Sequence, residues 1–306
     1  MRKFITTIGL LFLYIITMGL FFTNRVMYIK KKTDETILNR ELNEKRFILS
    51  EYDSLEKHDI TIPSTFGYDI KGTFIPSDIE TNKYMIICHG VTMNRINSIK
   101  YMYLFHNRDF HVVMYDHRRH GESGGKTTSY GHYEKYDLQA VVNWTKETFG
   151  EDILLGIHGE SMGAVTTLLY AGMLEDGADF YIADCAFSDF EEQLAYLLRR
   201  DFKLPKHIVL PIGKTFLKMR DKYDIKDVSP ISYIQTVQSP ILFVHSKDDS
   251  YILPSMSRKL YDKKVGPKKL VITPKGPHAY SLGDNPELYE KVLDDFLRDF
   301  IYAKKS

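Results

Sequence analysis

Five residues, Gly159-Glu160-Ser161-Met162-Gly163, lie between an apolar run at 153–158 and a helical-looking run at 164–171. A serine flanked by glycines where a buried strand meets a helix suits a strained turn that lifts a hydroxyl above a sheet edge. Without a Cβ at 159 and 163 the helix can pack close to the strand. The chemistry implied is nucleophilic attack on a carbonyl, and a serine hydroxyl attacks well only when a base takes its proton and an acid orients that base. His278, in Lys275-Gly276-Pro277-His278-Ala279 after the last apolar run, is placed to be the base. Asp249, in His245-Ser246-Lys247-Asp248-Asp249 after the preceding run, is placed to be the acid. Asp248 and Asp184 are the competing carboxylates.

These side chains need a frame that brings 161, 249 and 278 to one edge. Apolar runs at 84–88, 111–115, 153–158, 180–184, 241–245 and 270–273 are short, bounded by turn residues and mostly separated by helical stretches. Such alternation predicts an α/β fold with a mainly parallel sheet and helices on both faces. Segments 58–62 and 68–75, around Ser64-Thr65-Phe66-Gly67, read as a leading antiparallel hairpin. The stretch 185–240 is too long for one crossover and contains a helix near 190–200. A second apolar segment at 208–219 is interrupted by Pro211 and Gly213. Inserted there, it would hang over the carboxyl edge of the sheet as a small helical cap.

Serine, then acid, then histidine is the chain order of one known family. The chain resembles the α/β-hydrolases, notably their serine aminopeptidase-like and prolyl-oligopeptidase-like branch. The resemblance covers about residues 60–300 and rests on several motifs in order. These are His89-Gly90 after a strand, Tyr115-Asp116-His117-Arg118-Arg119-His120-Gly121-Glu122-Ser123 after the next, the serine pentad, Ser229-Pro230-Ile231, and the loops of Asp249 and His278. It implies an α/β-hydrolase fold with Ser161 as nucleophile, His278 as general base and then acid, and Asp249 as the residue fixing the imidazole tautomer. It also implies an oxyanion hole built from the backbone N–H groups of Val91 and Met162. One departure touches the acid. The family usually shows His-Gly-x-x-Asp with a proline four residues on, whereas here Ser246 replaces that glycine and Pro254 stands one position late. Asp249, Asp248 and Asp184 therefore all stay open.

The chain of 306 residues is 43% apolar, ample for one large domain. Its net charge of +1 is uneven: residues 1–32 carry six basic residues and no acid, so the rest is net negative. That balance gives no basic stripe for nucleic acid. Residues 4–22 contain no charge, enough to cross a bilayer as a helix. They read as a single-pass membrane anchor within 1–32, with a cleaved signal peptide ending near Thr17-Met18-Gly19 as the alternative. Basic residues flank both ends, which leaves open the side the domain faces. Residues 33–56 read as an amphipathic linker helix, apolar at Ile37, Leu38, Leu42, Phe47 and Leu49. Residues 57–306 form the hydrolase domain.

No cofactor or metal is expected, because Cys-x-x-Cys and His-Glu-x-x-His spacings are lacking. Cys88 and Cys185 adjoin strand runs and read as buried thiols. Gly124-Gly125-Lys126-Thr127 lacks the first glycine of a phosphate loop. The expected partner is a small ester or acyl compound, lipid-like or peptidic. The expected activity is cleavage of a carboxylic ester through an acyl-enzyme on Ser161. Peptidase-type amide hydrolysis is the alternative within enzymes, and a non-catalytic binding protein that keeps the fold is the alternative outside them.

Overall fold

The apolar runs and the hairpin join in one eight-stranded sheet in the computed structural model, which describes residues 1–304. The strands are β1 (His58–Pro63), β2 (Asp69–Ile75), β3 (Lys83–Cys88), β4 (His111–Tyr115), β5 (Leu154–Glu160), β6 (Phe180–Asp184), β7 (Ile241–Ser246) and β8 (Lys268–Thr273). Their order is β1-β2-β4-β3-β5-β6-β7-β8. β1 and β2 pair antiparallel and β2 meets β4 antiparallel, while β4 through β8 run parallel. Strand β5 lies inside the sheet and every residue of it is buried, as expected for an apolar run covered on both faces.

The helices are α1 (Arg2–Met27), α2 (Asp34–Asn43), α3 (Leu49–Ser54), α4 (Ile99–His106), α5 (Glu134–Phe149), α6 (Met162–Leu169), α7 (Phe190–Leu197), α8 (Lys206–Asp221), α9 (Pro230–Tyr233), α10 (Pro254–Lys263) and α11 (Pro286–Phe300). Two cores result. On one face Leu138, Val141, Val165, Leu168 and Leu260, from α5, α6 and α10, pack on the sheet. On the other, Met102 and Phe105 of α4 join Leu293 and Phe296 of α11. At about 25 cal/mol per Å² of apolar surface, these faces supply most of the drive to fold.

Two local expectations change. The linker is two helices, because the chain turns at Lys45, whose φ is 53°, and buries Phe47 beside Ile75 and Tyr101. Thr33 caps α2 by accepting the Thr36 N–H at 3.2 Å, and Arg40 reaches Asn97 at 2.8 Å, so the linker docks on the domain. The segment at 208–219 is not interrupted. It is one helix, α8, that carries Pro211 internally. Proline removes one helical N–H, but burial of Val209, Leu210 and Leu217 holds the turns together.

Helix α8 packs along α1. A Cβ added at Gly19 would collide with the Phe216 ring, so glycine at that point lets the two helices approach. Arg220 donates to Thr23 and, at 2.7 Å, to Asn24. The same end of α1 is tied to the domain by Thr128 N–H to Met27 O, 2.9 Å, and by Arg119 to Ile29 O, 2.8 Å.

Candidate active site

The pentad is built by close approach. A Cβ at Gly159 would collide with the backbone of Gly163 and Ala164, and one at Gly163 with the Cys88 carbonyl, so only glycine lets α6 start this near β3 and β5. Ser161 between them has φ 55° and ψ −113°, a conformation that L-residues rarely adopt. Its N–H donates to the Asp184 carbonyl at 2.8 Å and its own carbonyl accepts from Val165 at 3.1 Å, which pins the turn between β6 and α6.

The Ser161 hydroxyl lies 2.8 Å from Nε2 of His278. Nδ1 of the same ring lies 2.7 Å from the Asp249 Oδ2. An ionised carboxylate can only accept, so Nδ1 carries the proton and Nε2 is left to accept from the serine. The loop that presents His278 turns twice in the left-handed region, at Gly276 (φ 108°) and Ala279 (φ 65°). Its imidazole is partly exposed whereas Asp249 is fully covered.

Asp249 receives more than one donor. His245 Nε2 is 3.1 Å from its Oδ2, and the Tyr251 and Ile252 N–H groups both donate to Oδ1 at 2.9 Å. Burial raises the carboxyl pKa, but hydrogen bonds from His245 and His278 outweigh it and hold the group well below the usual carboxylate range. With Nε2 donating to Asp249, the His245 Nδ1 accepts from the Ser257 hydroxyl, 2.7 Å away. Of the three carboxylates left open above, it is Asp249 that meets the imidazole. Asp248 is exposed. Asp184 faces the Tyr101 hydroxyl at 3.2 Å, and burial, with the Glu160 charge next to it, pushes its pKa up to about 6.

Beneath the pentad, Glu160 is buried with Lys100 at 2.7 Å, Tyr101 at 2.9 Å and Asn97 at 3.0 Å. Burial opposes its ionisation, yet the Lys100 ammonium prevails and lowers its pKa to about 2. His89 braces the loop ahead of Val91, with Nδ1 2.7 Å from the Gly90 carbonyl and Nε2 accepting the His117 N–H at 2.9 Å. Burial lowers the His89 pKa to about 4, which keeps Nε2 an acceptor.

Val91 and Met162 flank Ser161 in one small cavity. As the first residue of α6, Met162 has an N–H with no partner inside the helix, and the Val91 N–H has no acceptor among the described residues. Both amides are thus free beside the serine. Cys185, Asp249 and His278 offer three potential metal donors within 4.8 Å of one another. However, Asp249 and His278 are already each other's partners, and burial holds the Cys185 thiol in its protonated form.

Sequence reasoning missed His245 as a second donor to Asp249, although its spacing of four residues was visible. It also missed Tyr130, Gln193, Leu194 and Tyr251, which close over Ser161. These come from three separate segments, and no local pattern links them.

A family model described as alpha/beta hydrolase fold matches residues 83–230. The uncharacterized protein YqkD of Bacillus subtilis is 51% identical over 97% of both chains. The zebrafish lysophosphatidylserine lipase ABHD12 is 27% identical over 62% of this chain and 50% of its own. An esterase of Pyrococcus furiosus superposes with a TM-score of 0.67 at 22% identity, covering 83% of this chain and 96% of the esterase.

Proposed function

The chain belongs to the alpha/beta hydrolase fold family, and from that premise we propose that it is a membrane-anchored serine hydrolase that cleaves carboxylic esters through an acyl-enzyme on Ser161. The observation that carries the reading is the unbroken relay from the Ser161 hydroxyl to His278 Nε2 and from Nδ1 to Asp249, at 2.8 and 2.7 Å.

In the first half-reaction Ser161 Oγ attacks the ester carbonyl carbon while its proton passes to His278 Nε2. The carbonyl oxygen becomes an oxyanion between the Val91 and Met162 N–H groups, where loss of one such donor costs roughly 3 kcal/mol. The imidazolium returns its proton to the departing alkoxide, so the alcohol leaves neutral. Water then repeats the sequence on the acyl-enzyme, with His278 as base, and releases the acid. Asp249 stays ionised throughout and holds the tautomer.

An ester of an apolar acyl group suits the space beside Ser161 better than a peptide. Met162, Phe187, Phe190, Leu194 and Ile252 line it, with Gln193 as its one amide side chain. This favours the lipase-like reading over amide cleavage in the serine aminopeptidase-like branch. Two of the named similar proteins, the Pyrococcus esterase and the zebrafish lipase, carry ester hydrolysis in their names.

The anchor reading draws support from the way α1 divides. Lys3–Tyr14 is exposed throughout, with Phe4, Leu10, Leu11 and Phe12 each more than half exposed, as suits a segment facing lipid. The later turns of the same helix are bonded to the catalytic domain. Cleavage near Gly19 would cut α1 inside its contact with α8.

A fluorophosphonate probe on the full-length protein tests the reading. Labelling of Ser161, with p-nitrophenyl butyrate turnover that Ser161→Ala abolishes, is the expected result. A folded protein that neither labels nor turns over would refute it.

A further inference from the structure

Two voids meet behind Ser161. The inner one, about 30 Å³, is lined by Ser161, Val91 and Met162. The outer one, about 210 Å³, lies between α1 and the cap. Tyr130, Leu194, Leu197 and Tyr251 are walls of both, so the two spaces share a single partition. Phe22, Val26 and Ile29 of the N-terminal segment and Leu210 and Leu217 of α8 also line the outer chamber. The N-terminal segment is therefore a wall of the substrate space as well as a tether.

We propose that this chamber binds the acyl chain of a single-chain lipid ester whose carbonyl sits at Ser161, and that the chain enters from the bilayer holding the outer part of α1. The proposal rests on the catalytic and anchoring reading above.

Helix length carries the second half of it. The exposed stretch Lys3–Tyr14 is twelve residues, or about 18 Å of helix. A hydrocarbon core is about 30 Å thick and needs about 20 helical residues. Twelve residues cannot span it, so the following turns, which already touch the cap, must sit in the membrane as well. A core entered at Phe4 ends near Thr23, level with the α1 wall of the chamber.

The cap is suited to that depth. Ile208 and Met219 of α8 are 49% and 57% exposed, so the outer face of that helix offers apolar side chains to a bilayer. Residues 199–222 contain eight Lys or Arg residues against two acids, a charge excess that the net-negative average of the domain conceals. Apolar and basic side chains on one element suit an anionic lipid surface.

The test uses the full-length protein in nanodiscs of phosphatidylcholine and phosphatidylglycerol, treated with a long-chain alkyl fluorophosphonate that carries a terminal diazirine. Photolysis should place the crosslinks in residues 22–29 and 209–217. Labelling of Ser161 with crosslinks only elsewhere overturns the chamber assignment and leaves the catalytic reading intact, whereas failure to label Ser161 removes both. A second measurement compares kcat/KM for p-nitrophenyl dodecanoate with that for the butyrate. Gly213 lines the chamber, and a Cβ there meets no atom within 4 Å, so Gly213→Trp can fill the space without a backbone clash. The dodecanoate-to-butyrate ratio should fall about tenfold in that variant, as expected for expelling about two methylenes. An unchanged ratio, with a wild-type rate of fluorophosphonate labelling, would overturn the proposal. Gly19→Leu, which forces α1 from Phe216, should lower the ratio in the same sense.

Discussion

The relay at Ser161 and the chamber under the cap adjoin each other but are held by opposite means. Around the relay the side chains are held by directed partners, with only the Val91 and Met162 amides left free: Asp249 takes four donors, Glu160 three, and the Ser161 backbone is bonded at both its N–H and its C=O. The chamber is lined mostly by apolar side chains of α1, α7 and α8 together with Tyr130 and Tyr251 from loops, and Arg25, Asp201 and Lys214 are the charged residues among them. Directed bonds fix atoms to within the tolerance of proton transfer, whereas apolar packing tolerates occupants of different length. On the function proposed above, chemistry and chain-length selectivity would reside in separate materials, and substitutions can separate them.

The largest expected effects come from the relay. Ser161→Ala and His278→Ala should each lower kcat for p-nitrophenyl butyrate by about a thousandfold or more, with the melting temperature nearly unchanged. Asp249→Asn should lower kcat by a comparable factor, because the amide no longer holds the proton on Nδ1. Asp184→Asn, by contrast, should change kcat only a few-fold, since Asp184 contacts Tyr101 and not His278. If Asp184→Asn matches the loss of Asp249→Asn, the relay has been drawn through the wrong carboxylate. Filling the chamber comes next in size, with its tenfold change in chain-length preference.

Acid should distinguish the two regions by stability. Burial lowers the pKa of His89 to about 4, of His120, His132 and His158 to about 3, and of His117 well below its ordinary 6.5. A depressed histidine contributes stability that is complete above about pH 6.5 and is lost as pH falls toward the folded value. Asp137 and Asp184, raised to about 6, act in the opposite sense between about pH 6 and 4. At pH 5, then, unfolding lets these five imidazoles and that of His111 take up protons while Asp137 and Asp184, joined by Asp116 and Asp221, release them; the imidazoles outnumber the carboxyls, so stability drops as pH falls. The urea midpoint should be lower at pH 5 than at pH 7, and an equal or higher value would contradict the buried-histidine account. These histidines lie outside the chamber lining. The smallest effect expected is a gain. Ser161→Gly removes a side chain from φ 55° and should raise stability by about 1 kcal/mol while ending turnover.

The same contrast explains what could be read in the chain before its fold. The pentad was legible because Gly159 and Gly163 mark a steric requirement, and the parallel strands because continuous apolar runs leave little alternative. The acid was not, since Ser246 and the late Pro254 disturb the spacing that would have singled out Asp249, and only the imidazole contact picks it out. The linker was misread because helical spacing continues across the turn at Lys45. The chamber left no trace: Phe22 and Val26 carry the composition of a bilayer segment whether they face lipid or α8. The basic cap was equally hidden, its charges cancelled by acids elsewhere in the domain.

The division of α1 bears on how this protein is prepared. Trimming to Thr33 is the obvious way to make it water-soluble, and it would keep Ser161, His278 and Asp249. It would also strip away Phe22, Val26 and Ile29 and so remove one wall of the chamber. If the chamber holds the acyl chain as proposed, a substrate screen on such a fragment should register turnover of short esters while underrating long ones.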